Sequence, residues 1–132
     1  MSRDQERLRD YLAHIVDAIQ RIERYTADME ELAFLGNQLV QDAVIRNLEI
    51  IGEASNNIEK HYPEFAAGHS GLPLAFAYQM RNAVAHGYFK VDLELVWKTV
   101  QRDLPGFHSQ VRDAQQALAG QYVDNPPADS AH

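Results

Sequence analysis

The feature of this chain that most constrains its fold is a helical repeat of apolar residues near its start. In residues 4–24 apolar side chains recur at steps of three and four: Leu8, Tyr11, Leu12, Ile15, Ile19 and Ile22. An α-helix turns once every 3.6 residues, so this spacing places all six on one face, with charged residues between them. The stretch is therefore predicted to be an amphipathic helix.

Similar apolar spacing continues along the chain, and capping residues, glycines and prolines divide it into segments. Helices are predicted at about 28–34, 38–60, 73–86, 92–103 and 106–118, with a loop leading to Gly71 and a turn at Leu104–Pro105. Asn37 and Asp92 are predicted N-caps, and Asp28 stands at capping-box distance from Glu31. The sequence shows no strand-like alternation and no internal repeat. We therefore expect an all-α protein, an antiparallel bundle of four to five helices.

The length of the chain fits one domain with one core. Of its 132 residues, 45% are hydrophobic and 23% are charged, as in ordinary globular proteins. We place the helical domain at residues 1–119. Residues 120–132 carry Gly, Asn, Pro and Ser and cannot bury enough apolar surface to offset ordering, so we expect a mobile tail there.

Several classes of protein are disfavoured by what the sequence lacks. It has no cysteine, which excludes disulfides and thiolate metal sites. It has no run of about 18 apolar residues and no basic-then-apolar leader, so we expect no membrane insertion and a cytoplasmic location. Gly-rich phosphate loops, H-E-x-x-H motifs and acidic metal clusters are also missing, which disfavours metal-dependent hydrolysis. No cofactor is expected.

The net charge of −7 limits how this chain could meet nucleic acid. A protein that holds nucleic acid through a broad phosphate-binding surface normally carries a basic face. Any RNA contact should therefore be local, centred on Arg81, Lys90, Lys98 and Arg102. The acidity also suits a protein that pairs with a basic partner surface.

The densest polar cluster of the chain is the segment Arg81–Tyr88, which reads R-N-A-V-A-H-G-Y. Polar groups placed that closely do not stabilise a helix core, because each must be desolvated and then given a partner. The structural interpretation is a helix end, with Asn82 and His86 bonding locally, Gly87 as the left-handed terminal residue and Tyr88 packing. The alternative is a functional site, the usual place where local rules are broken.

Helix geometry separates the two main side chains of this segment. Positions five apart on a regular helix point about 140° away from each other, so Arg81 and His86 cannot share one face. The helix could end at His86 and turn that side chain back towards Arg81. A second copy of the chain could instead supply part of the set across a two-fold axis. We expect a homodimer.

The segment fits the R-x-x-x-x-H-x-Y signature of the HEPN superfamily, and the chain resembles the HepT-like toxin branch of it. Further blocks carry the same resemblance: Asp42–Ala54, Val91–Trp97 and Asp103–Pro105. The similarity covers roughly residues 5–118. It implies a HEPN-like bundle, an RNA substrate, and catalysis by Arg81 and His86. It also implies a partner antitoxin, a minimal nucleotidyltransferase (MNT type) that adenylylates Tyr88.

The residues of the segment suit RNA cleavage without a metal. His86 would take the 2′-hydroxyl proton or protonate the leaving 5′-oxygen, since an imidazole titrates near neutrality. Arg81 would stabilise charge on the phosphorus, and Asn82 would hold the imidazole or a phosphate oxygen. Because the motif has one histidine, separate acid and base roles require the dimer. The alternative function is a non-catalytic nucleotide- or protein-binding module that partners a nucleotidyltransferase.

Three polar or small residues interrupt the helix predicted at 38–60. Asn47 lies on its apolar stripe, and we predict a hydrogen bond to another helix that fixes register. Gly52 is in mid-helix, where a close approach by a helix or ligand would explain it. Glu53 beside it is either a solvated charge or a supporting residue that orients Arg81 or His86. His14, His61 and His69 are predicted surface residues, and His108 a structural or exposed one.

Overall fold

The computed structural model describes residues 3–75, 77, 78, 80 and 92–124, and for 121–124 the backbone alone. In chain order the elements are α1 (Arg3–Thr26), α2 (Glu31–Leu35), α3 (Gln38–His61), α4 (Pro63–Gly68), α5 (Leu93–Lys98), a π-helical turn (Thr99–Asp103) and α6 (Leu104–Asp124). Residues 74, 75, 77, 78 and 80 are also helical, and within the described ranges there is no strand. The predicted all-α, HEPN-like bundle is confirmed.

The two longest helices are antiparallel. Near the start of α1, the Asp4 carbonyl accepts a hydrogen bond of 2.8 Å from the hydroxyl of Tyr62, at the end of α3. Towards the end of α1, Arg21 Nε donates to Asn47 Oδ1 in the first half of α3, also at 2.8 Å. The two helices therefore run in opposite directions along one interface. The inter-helix hydrogen bond predicted for Asn47 is confirmed.

Helix α6 also runs antiparallel to α1. His108 in its first turn lies 2.8 Å from the Glu23 carboxylate near the end of α1. At the other end, Leu12 of α1 and Leu118 of α6 line one surface pocket. His108 therefore has the structural role that we considered for it.

The core fills the space that these helices enclose. Its fully buried residues include Leu12, Ile15, Ile19, Ile22, Phe34, Val44, Ile58, Val96 and Val111, and Leu74, Ala77 and Met80 are more than nine-tenths buried. Four of these nine fully buried residues lie on the apolar stripe predicted on α1. Burial of an apolar face of this kind, rather than helix propensity, supplies most of the stability of such helices.

Two of the three predicted cap features are present. Asn37 Oδ1 accepts from the Val40 amide at 3.1 Å, and Asp92 Oδ1 accepts from the Leu95 amide at 3.0 Å. The capping box predicted at Asp28 is wrong. Asp28 adopts a left-handed conformation (φ 60°), and α2 begins later, after Glu30. An Asp tolerates that conformation at a turn, so here it reverses the chain instead of capping a helix.

The segment after α3 is not the loop that we expected. Tyr62 ends α3 as predicted, but Pro63 then begins α4, which runs to Gly68. Proline at the first helical position has its φ already set, and its missing N–H would have had no helical partner there. The same proline therefore ends one helix and begins the next.

The predicted turn at Leu104–Pro105 is also wrong, because the chain stays helical through it. Leu104 has helical φ and ψ angles, and its amide donates to the Thr99 carbonyl, five residues earlier. A proline inside an α-helix removes one hydrogen bond and collides with the carbonyl four residues before it. The wider π-helical turn before Pro105 is a known way to accommodate such an interruption.

The last helix extends beyond the predicted range. α6 runs to Asp124 rather than to about residue 118. Residues 125–132 lie outside the described part, so the mobile tail and the domain boundary at residue 119 stay predictions. None of the described helices is long and apolar enough to cross a membrane.

Candidate functional site

Most of the residues predicted to carry the chemistry lie outside the described part of the chain: Arg81, Asn82, His86, Tyr88 and Lys90. Their predicted roles stay predictions. The described part of the chain before this segment ends at Met80.

Met80 forms part of the wall of a groove with a volume of about 660 Å³. The apolar residues that line it come from α3, from the helical residues after Pro73 and from α6: Leu48, Ile51, Ala77, Met80, Leu104 and Phe107. Each of these six is less than 10% exposed, so they form the floor of the groove. Together with Pro73 and Gly106 they make its interior mostly apolar.

The polar residues of the groove come from the π-helical turn and the first part of α6. They are Thr99, Arg102, Asp103, Ser109 and Gln110. All but Thr99 are exposed, which places them at the rim. These positions are separated by steps of three, four and seven residues, which places the side chains on one helical face. The sequence therefore contained a pattern from which this face could have been predicted. Of this set, the sequence had predicted only Arg102 as a functional residue.

Two of these polar side chains already make hydrogen bonds. Gln110 Nε2 donates to the Gly71 carbonyl at 2.9 Å, which ties the loop before Pro73 to α6. The Thr99 hydroxyl donates to the Leu95 carbonyl at 2.9 Å. Both side chains therefore keep oxygen lone pairs that can accept a hydrogen bond.

The other predicted site residues that the structure describes lie away from the groove. Glu53 is exposed on α3, about 160° around the helix from Ile51, and it does not line the groove. Lys98 is exposed at the end of α5. Gly52 is buried in α3, as a close helix approach would require. The supporting role of Glu53 stays a prediction.

The described histidines do not contribute to the groove. His14 and His61 are exposed, as predicted, while His69 is half-buried and stacks on the Phe65 ring with centroids 4.1 Å apart. His108 Nε2 is buried without a hydrogen-bond partner, on the side of the ring away from Glu23. In the described ranges, no group of three or more histidines and carboxylates is arranged to hold a metal ion.

Comparison with known proteins assigns the family. Residues 15–114 match the family described as "Ribonuclease HepT-like". A protein of Thermococcus cleftensis named "Probable ribonuclease HepT" is 43% identical over 97 residues, which cover 74% of this chain and 86% of that relative. No solved structure matches the chain.

A second relative is longer. The Methanocaldococcus jannaschii protein named "Gamma-glutamylcyclotransferase and putative RNase MJ0434" is 38% identical over 108 residues, which cover 82% of this chain and 47% of the relative. The chain thus spans about half the length of that protein.

The helical bundle and the family match define a small all-α protein of the ribonuclease class. The chain belongs to the HepT-like ribonuclease family.

Proposed function

We propose that the protein is the toxin of a HepT/MNT-type toxin–antitoxin system and acts as a metal-independent endoribonuclease in the cytoplasm. The observation that carries this proposal is the family match, which spans residues 15–114 and so includes the whole R-x-x-x-x-H-x-Y segment. The groove supports it, because Met80, the residue that precedes the segment in the sequence, is among the residues that line this concave surface.

The proposed reaction is a transesterification within the RNA backbone. His86 acts as general base on the 2′-hydroxyl, or as general acid on the leaving 5′-oxygen. Arg81 stabilises the negative charge on the phosphorus in the transition state with its fork of N–H donors. Asn82 holds the imidazole or a phosphate oxygen, and Glu53 orients one of the two main groups. A homodimer brings two copies of His86 to one site, so that one serves as acid and the other as base.

Alanine substitutions test the catalytic assignment. Arg81→Ala and His86→Ala should each abolish growth arrest on expression and RNA cleavage by the purified protein, in buffer that contains a chelator. Arg112→Ala and His14→Ala are matched controls, because both residues are exposed and lie outside the groove. Circular dichroism must show that all four variants stay helical. Toxicity that survives both catalytic changes would favour the alternative, a non-catalytic module that binds a nucleotide or a protein.

We further propose that the antitoxin is a nucleotidyltransferase of the MNT type and that it adenylylates Tyr88. The added phosphate would place negative charge in the segment that also holds Arg81, and RNA phosphate would then be repelled. Intact-mass measurement after co-expression with the neighbouring gene should show AMP-sized increments. The increments should disappear in Tyr88→Phe and persist in Tyr25→Phe, in which an exposed tyrosine of α1 is changed. If no increment is found on the unchanged protein, inhibition occurs without modification.

A further inference from the structure

The groove next to Met80 has the make-up of a site for a small organic ligand. Its volume of about 660 Å³ lies within the range of roughly 300–1,000 Å³ that is common for such sites. The floor is apolar and the polar groups stand at the rim, which is the usual distribution where a ligand with apolar faces must also be oriented.

Besides the N–H donors of Arg102, the groove offers several hydrogen-bond acceptors. Asp103 contributes a carboxylate, and Gln110 keeps its side-chain oxygen, because its nitrogen is already bound to the Gly71 carbonyl. Thr99 also keeps acceptor lone pairs, since its proton goes to the Leu95 carbonyl. Among the described residues that line the groove, Arg102 is the one cation. A ligand that fits this rim therefore presents N–H donors near an anionic group.

An apolar floor with polar groups at the rim argues against ligands that are only polar or only apolar. Inorganic phosphate would leave the apolar floor unused. A hydrocarbon chain would leave the rim groups without partners. A nucleotide satisfies both parts, because a base has two apolar faces and an edge of donors and acceptors, and its phosphate can pair with Arg102.

The position of the groove along the chain links it to the proposed catalysis. Met80 lines the groove and is bonded to Arg81, so the two Cα atoms are about 3.8 Å apart. A nucleotide held in the groove would therefore lie close to the start of the catalytic segment.

We infer that the groove is a base-binding subsite for one nucleotide of the RNA substrate and that it favours bases with an exocyclic amino group over uracil. The inference rests on the proposed function for the identity of the substrate. The preference follows from Asp103, because a carboxylate accepts a hydrogen bond from an amino group but not from the carbonyl oxygen that uracil presents in its place.

The methionines of the chain provide a direct test of binding. The sequence has three, of which Met80 lines the groove and Met29 lies between α1 and α2. In protein labelled with ¹³C at the methionine methyl groups, AMP and CMP should shift the Met80 signal saturably and leave the Met29 signal in place. UMP should bind about fivefold more weakly or worse, as expected for the loss of one good base contact.

Two glycines of α6 provide a matched pair of variants. A Cβ added at Gly106 or at Gly120 would meet no heavy atom within 4 Å, so both positions tolerate a side chain. Gly106 lines the groove, whereas Gly120 does not. Gly106→Phe should weaken AMP binding at least about tenfold, and Gly120→Phe should leave it within about twofold.

Charged residues of the same helical region test the rim in the same way. Arg102→Gln should weaken AMP binding more than it weakens adenosine binding, because only AMP carries the phosphate. Asp103→Asn should remove the preference over UMP. Arg112→Gln and Asp113→Asn, which change exposed residues of α6 outside the groove, should have neither effect.

The outcomes separate this inference from the proposed function. If nucleotides leave the Met80 signal unchanged, or shift it equally in Gly106→Phe, the inference is overturned whether or not the protein cuts RNA. If the Met80 signal changes on dilution without nucleotide, a second copy of the chain covers the groove, and the inference is again overturned. If AMP binds as described but the protein cuts no RNA, the groove is a nucleotide site and the proposed nuclease fails alone.

Discussion

Arg21 Nε donates a hydrogen bond of 2.8 Å to Asn47 Oδ1 across the interface between α1 and α3. Asn47 is 5% exposed, and its nitrogen donates in turn to the Ala43 carbonyl at 2.8 Å. The amide is thus bonded on both sides. The bond to Ala43 lies within α3 and fixes the orientation of the amide. The bond to Arg21 crosses between the two helices and forms in one register only, so it defines that register more sharply than the apolar stripes alone.

We therefore expect Asn47→Ala to lower the free energy of unfolding by about 1–3 kcal/mol, because it leaves the Arg21 donor without its partner. A double-mutant cycle with Arg21→Ala, followed by urea unfolding, should give a coupling energy of about 0.5–3 kcal/mol. Arg24, an exposed residue of the same helix, supplies the control. Arg24→Ala should be additive with Asn47→Ala, and additivity in the Arg21 cycle as well would contradict the role in register.

The contact between Phe34 and Trp97 anchors the short helix α2 to α5. Phe34 is fully buried, and the two ring centroids are 5.2 Å apart. Phe34→Ala should therefore cost about 3–5 kcal/mol, the usual loss for a buried aromatic side chain. Trp97 is the one tryptophan of the chain, so its fluorescence reports unfolding directly. Leu32→Ala, in the same helix but at a residue that is 83% exposed, should change stability by less than about 0.5 kcal/mol. Equal losses in the two variants would show that Phe34 is not the anchor.

Tyr62 predicts a dependence of stability on alkaline pH. The pKa of Tyr62 is raised above its ordinary value, mainly by desolvation and then by the nearby charge of Asp4. The unfolded chain therefore loses this proton first, and the stability it contributes is present below about pH 10 and is lost as the pH rises further. Urea unfolding from about pH 9 to about pH 11 should show a smaller loss in Tyr62→Phe than in the unchanged protein. Parallel curves would exclude Tyr62 as the cause.

If one site of the dimer uses His86 from both chains, the activity of mixed dimers can be predicted. When the unchanged chain and His86→Ala are co-expressed in equal amounts, about one quarter of the dimers carry two intact chains. If the site needs both copies of His86, about one quarter of the activity should remain. If each chain carried its own site, about one half would remain. Co-expression with His14→Ala, which changes an exposed residue, should leave the activity unchanged.

Much of the fold could be predicted because it depends on local patterns. The apolar stripe of α1, the caps at Asn37 and Asp92 and the end of α3 at Tyr62 each follow from residues close together in sequence. The errors occurred at prolines, at Asp28 and at the end of the last helix, which runs to Asp124 rather than to about residue 118. A proline can end a helix, begin one or lie within one, and the neighbouring packing decides which of these occurs.

The candidate site was likewise predicted only in part from the sequence. The segment Arg81–Tyr88 stood out in the sequence, because its polar groups interrupt an apolar helical pattern within eight residues. The groove could not be recognised in the sequence, because its lining residues come from separate parts of the chain. Met80, Ile51 and Phe107 are ordinary core residues when each is considered alone.

By itself, the sequence determined the helical class, most helix boundaries and the family, because periodicity, capping and motif spacing are properties of neighbouring residues. Only the tertiary structure decided that α1 pairs in antiparallel fashion with α3 and α6, that Pro105 lies within a continuous helix, and that a groove opens beside Met80. Those features depend on contacts between residues far apart in the chain, and such contacts form only when the helices pack.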